Sequence, residues 1–187
     1  MAAKRWTADN KPAKMNRWEL SNLLTDYPRF EEECDWEKLD GLDWSSLLSC
    51  YPQFSDRCHW EKLDGWAWGE LLHDQPQFAD QCPWEKLNEM NWCWLLIFQP
   101  QFAKKCPWEK LNGYCWTLLL ETKPQFAEHC DWTKLSGCEW SRLLSRQPQF
   151  AEHCDWTKLD RDDWSDLLYY QPQFADKCPW KNLTEKI

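Results

Sequence analysis

The stretch CDWEKLDGLDWSSLLSCYPQFSDR, residues 34–57, decides the fold, because its local signals and its recurrence point the same way. Asp40 reads as an N-cap with Asp43 three residues on. The equivalent SGCE at Ser136–Glu139 is a capping box, in which the two side chains satisfy amides that a helix start leaves unpaired. Trp44, Leu47 and Leu48 then stand at i, i+3 and i+4, one face of a helix. Pro52 ends that helix, since the residue before a proline is driven out of helical geometry, and the same proline suits the first turn of the next, PQFSDRC. On this reading Phe54 and Cys58 share a face at i, i+4. Pro83, Pro107 and Pro179 enforce another break before a brief WEKL-type turn. The unit is helix, turn, shorter helix, turn.

Outward from this stretch the whole chain repeats with a period of 24. Cysteines 34, 58, 82, 106, 130, 154 and 178 keep the step, as do tryptophans 36, 60, 84, 108, 132, 156 and 180, and prolines 28 to 172 with a phenylalanine two residues after each. Six full repeats occupy 34–177, a partial repeat precedes them at 16–33, another follows at 178–187, and residues 1–15 form a basic N-terminal tail. Helices this short are marginal alone, so the repeats must stack. If Trp36, Leu39, Trp44, Leu47, Leu48 and Phe54 pack on their counterparts one repeat away, the array buries a continuous apolar seam. The expected fold is an all-α solenoid of 24-residue two-helix repeats, of either hand. A β-solenoid is the competing reading, and the Leu-Leu pairs, caps and scarcity of β-branched residues count against it.

The run CDWTKLSGCEWSRLLSRQPQFA at 130–151 carries the pattern CDWxKLxGxxWSxLLxxQPQFA nearly whole. It resembles Trp-rich 24-residue tandem-repeat proteins of bacteria, which are uncharacterised. The resemblance covers about residues 16–187. It implies the array and brings no activity with it.

Because the chain holds several versions of one unit, positions that repeat mark what stacking needs and positions that change are released from it. Four columns change most: residues 42, 66, 90, 114, 138 and 162, and the sets that lie +4, +7 and +8 from them. Those offsets describe one stripe on the first helix, apart from the Trp44, Leu47, Leu48 face. In NWCWLLIFQP, Trp92, Leu95 and Leu96 therefore belong to the core, whereas Met90, Trp94, Ile97 and Phe98 fall on the stripe, with Trp66 in the preceding repeat and Tyr114 and Leu118 in the next. The competing reading makes these residues a thicker core, but Asp and Arg occur in the same columns. Glu70, Asp74 and Glu121, then Arg142, Arg146, Asp162 and Asp166, supply a charged rim. An apolar centre rich in Trp, Tyr and Met inside a charged border is the composition of a protein interface. The expected partner-binding residues are Trp66, Met90, Trp94, Ile97, Phe98, Tyr114, Leu118, Glu70 and Arg142, for a foreign protein or a second copy of the chain.

Bulk properties narrow the classes further. The 187 residues hold 22 Lys plus Arg against 31 Asp plus Glu, a net charge of -9, and no run reaches the 18 or so apolar residues that cross a bilayer. With no apolar leader at the start, cytoplasmic residence is expected. The 11 cysteines are an odd number, and a 24-residue step sets column sulfurs a layer apart, so they read as small buried apolar side chains rather than disulfides. EHCDW occurs twice, but the adjacent His and Cys do not assemble four zinc ligands. Phosphate loops, nucleophile elbows and metal boxes are missing, and five Gly leave little material for them. No enzyme and no cofactor is expected. Thirteen of 17 Trp sit in repeat columns, which leaves Trp6, Trp18, Trp66 and Trp94 for any small-ligand platform.

For nucleic acid, direct binding is not expected of a short basic tail on an otherwise acidic array. An acidic array also reads as a DNA mimic that inhibits a nucleic-acid-processing or defence enzyme, in the manner of anti-CRISPR or anti-restriction proteins. The lysine column at 38, 62, 86, 110, 134 and 158 weakens that alternative. The leading expectation is a non-enzymatic protein-binding scaffold, adaptor or inhibitor, of bacterial or phage origin.

Overall fold

The computed structural model describes residues 36–180. The N-terminal tail, the partial repeat at 16–33, Cys34, Asp35 and the last seven residues, 181–187, lie outside the described residues. All regular structure among the described residues is helical. Six α-helices recur at the 24-residue step: α1 (Gly41–Cys50), α2 (Gly65–Asp74), α3 (Glu89–Phe98), α4 (Gly113–Thr122), α5 (Gly137–Arg146) and α6 (Arg161–Tyr170). The described residues fall into two compact units, one up to Asn91 and one from Trp92 on. In the first, α1 packs on α2; in the second, α4 packs on α5 and α5 on α6. This is the layered packing of an α-solenoid.

The α-helices start where the caps predict. Asp40 with Asp43, Asn88 with Asn91, and Asp160 with Asp163 make reciprocal boxes, each pair exchanging two backbone-to-side-chain bonds. At Ser136 the Glu139 carboxylate accepts from both the backbone N–H, at 2.8 Å, and the hydroxyl, at 2.9 Å. Each helix stops one residue before a proline, as at Tyr51, whose φ of -134° has left the helical region.

The second segment of the repeat departs from the expected α-helix. Pro52–Arg57, Pro76–Gln81, Pro100–Lys105, Pro124–His129, Pro148–His153 and Pro172–Lys177 are 3-10 helices, and so are the three-residue turns such as Trp60–Lys62. The bonds are i to i-3: Phe54 N–H donates to Tyr51 O at 3.2 Å and Cys58 N–H to Ser55 O at 3.1 Å. Phe54 and Cys58 therefore do not share an i, i+4 face, and Cys58 is already extended, with ψ of 131°. With a proline opening each segment and an extended residue closing it, too few residues remain for i to i-4 bonding to propagate.

In the repeats that lie within one unit two tryptophans stack. Trp60 lies on Trp68 with centroids 5.3 Å apart, Trp132 on Trp140 at 5.5 Å, and Phe78 and Phe150 tilt against the first ring of each pair at 5.4 Å. The second tryptophan of each pair is fully buried, while the first is only half-buried. The Trp36-type residues stack on the second indole of their own repeat, a contact that the seam expected between repeats did not include.

Adjacent layers are joined by polar bonds that repetition alone does not announce. Lys62 Nζ donates to Glu37 O and Leu39 O of the preceding repeat, at 2.6 and 3.2 Å. Lys86 does the same to Glu61 O and Leu63 O, and Lys158 to Thr133 O and Leu135 O. Three of the Gln residues that precede a proline reach back to the preceding α-helix: Gln75 Nε2 to Ser49 O at 2.7 Å, Gln147 Nε2 to Glu121 O at 2.8 Å and Gln171 Nε2 to Ser145 O at 2.8 Å. These bonds occupy carbonyls that the ends of short helices leave without partners. The layers approach so closely that a Cβ at Gly41 or Gly137 would lie 2.3 Å from the backbone oxygen of Lys62 or Lys158.

Candidate partner-binding surface

The stripe follows from the α-helix itself. Trp68, Leu71 and Leu72 turn inward on α2 and are fully buried, and ten residues give room for one other face. Of the 24 residues in the four changing columns none is buried as a whole, although the Glu121 side chain is almost wholly covered. Seven of the eight large apolar side chains exposed among the described residues fall in those columns.

In the unit up to Asn91, Trp66 is 54% exposed and Leu42 is exposed one layer before it. Glu70 is exposed and Met90 half-buried. His73 and Asp74, at 2.9 Å, follow at the end of α2.

In the unit from Trp92 on, Trp94 and Phe98 lie one turn apart on α3, 43% and 53% exposed, with rings near parallel (13°) and centroids 6.1 Å apart. Ile97 is half-buried, as is Leu118 on α4, where Tyr114 is 46% exposed. Arg142 of α5 reaches back to α4. Its guanidinium lies 5.9 Å from the Tyr114 ring centre and grips Glu121 through Nε and one terminal nitrogen, at 2.6 and 3.1 Å. Arg146 Nε is 3.6 Å from the same carboxylate. The Arg142 guanidinium is held above its ordinary value, first by its bond to Glu121, so it stays charged.

Glu121 was expected in the charged rim, and here the structure differs. Its side chain is almost wholly covered, clamped by two arginines of the next layer. The outward charge at this edge is the positive charge of Arg142 and Arg146, both exposed. Two further exposed aromatics, Tyr169 and Tyr170 of α6, meet edge to face at 5.0 Å. Their places in the third and fourth columns were the available signal, and the emphasis on Trp94 passed over it.

The other sequence candidates fall elsewhere. His129 and His153 stack on Trp108 and Trp132 with centroids 4.4 Å apart, so the imidazole of each EHCDW run is an aromatic packing element. The described column thiols are buried or half-buried; for Cys58, Cys82, Cys106, Cys130 and Cys154 burial is the first cause that pushes the thiol up to about 12, with a neighbouring carboxylate second. Among the described residues no group of three or more His, Cys, Asp or Glu could hold a metal ion. No helix among them is long and apolar enough to cross a membrane. No family model, curated protein or solved structure matches the chain.

Proposed function

We propose that the chain is a non-enzymatic protein-binding scaffold, an adaptor or an inhibitor, whose contact centres on Trp94, Ile97, Phe98, Tyr114 and Leu118. The observation that carries this reading is the confinement of nearly all exposed large apolar side chains to columns that stacking leaves free. Burying such side chains at an interface contributes about 25 cal/mol per Å² removed from water, and Trp and Tyr anchors dominate such contacts. Arg142 and Arg146 at one edge select a partner that sets a carboxylate beside its apolar residues. Trp66, Glu70 and Met90 are further contact residues in the other unit. The proposed setting is the cytoplasm of a bacterium or the host of a phage.

The test is capture of partners from the native host on immobilised protein, with the Trp94→Ala/Phe98→Ala variant alongside. Loss of a specific partner with an unchanged melting temperature supports the reading; a large fall in stability would make these residues core. Concentration-dependent size of the pure protein would redirect the contact to a second copy of the chain. Retained binding by the variant with steep weakening in salt would favour the acidic DNA-mimic inhibitor instead.

A further inference from the structure

Between α3 and α4 two thiols meet across a layer boundary. Cys93 and Cys115 are both fully buried. Cys93 Sγ donates to the Cys115 carbonyl oxygen at 3.5 Å, and the neighbouring Cys115 thiol, together with burial, pushes the Cys93 thiol up. Their separation in sequence is 22, two short of the period, and it is a contact that the array repeats. Ser141 Oγ donates to Asp163 O at 2.8 Å across the same step. In the other unit the step joins Gly69 to Asn91, where a Cβ placed on Gly69 would lie 3.8 Å from the Asn91 Cβ. A disulfide holds its Cβ atoms about 3.5 to 4.5 Å apart, with a mean near 3.8 Å. No other two cysteines of the chain stand 22 apart.

We propose that Cys93 and Cys115 are an oxidisable pair that closes to a disulfide between α3 and α4. The reaction is thiol–disulfide exchange with a small disulfide such as oxidised glutathione. One cysteine thiolate attacks the glutathione disulfide and releases one glutathione thiol. The second thiolate then attacks the protein sulfur of the mixed disulfide and releases the other. Each cysteine gives up one proton and one electron, and one glutathione disulfide becomes two thiols. Burial of both sulfurs keeps the pair reduced in the closed fold and confines the reaction to folding or to local opening of the seam. The bond would tie together the helix that carries Trp94 and Phe98 and the helix that carries Tyr114 and Leu118; that consequence rests on the proposed function, and the bond itself does not.

The full chain is refolded from denaturant in mixed reduced and oxidised glutathione, which removes access as a limit. Remaining thiols are blocked with iodoacetamide, and the digest is read by mass spectrometry. A Cys93–Cys115 peptide as the dominant intramolecular link, with a raised melting temperature that Cys93→Ser abolishes, is the expected result. Serine is tolerated, since Ser141 fills the equivalent position. Recovery of both residues as blocked thiols while other cysteines oxidise, or linkage of Cys93 elsewhere, would overturn the proposal. Trp94→Ala/Phe98→Ala is refolded in parallel and keeps the link, so failure of the binding reading and failure of the bond are told apart.

Discussion

Trp92 and Trp94 are two residues apart on α3 and have opposite fates, one fully buried and the other 43% exposed. Truncation of Trp92 to alanine removes a buried aromatic and is expected to cost about 3 to 5 kcal/mol, read from the urea midpoint. The distinction was legible because Trp92 keeps the period and Trp94 does not. Repetition reports that a position is needed, however, and not by what. Nothing in the columns tells that Trp108 lies between an indole of its own repeat and His129, or that Glu121 is held by Arg142. Those contacts depend on where side chains reach between layers, and the sequence lists positions only along the chain.

At the scale of the element, proline and cap signals placed the α-helices well, since both act within a few residues of themselves. The misjudged segment is the one after each proline, where hydrogen-bond type depends on how many residues fit between two breaks. The lysine column, which in the sequence only weakened the DNA-mimic alternative, ties adjacent layers at Lys62, Lys86, Lys134 and Lys158. Lys158→Met keeps the aliphatic stem and loses the bonds to Thr133 O and Leu135 O. The expected cost is about 1 kcal/mol, seen as a lower denaturant midpoint at unchanged slope. If stability holds, the lysines are solvated charges and their carbonyl contacts contribute nothing.

Over the chain as a whole, the all-α repeat was legible from the period, whereas its division near Asn91 and the Cys93–Cys115 approach were not. The first depends on contact density, and the second follows a step of 22 that a search for 24 skips. The thiol column gives a collective expectation. Cys58, Cys82, Cys106, Cys130 and Cys154 have folded values pushed up to about 12, above the unfolded thiol, so the fold favours the neutral form. Their contribution is complete below the ordinary thiol range and is lost as pH rises through about 9 to 12. The denaturant midpoint should fall across that window, and alanine at all five positions should flatten the profile. The paired indoles described above have an optical consequence: rings a few ångströms apart and nearly parallel couple their electronic transitions. The chain therefore carries its own spectroscopic reporter of ring stacking, and far-ultraviolet ellipticity from it mixes backbone order with chromophore coupling, so helix content read from that signal alone will be biased.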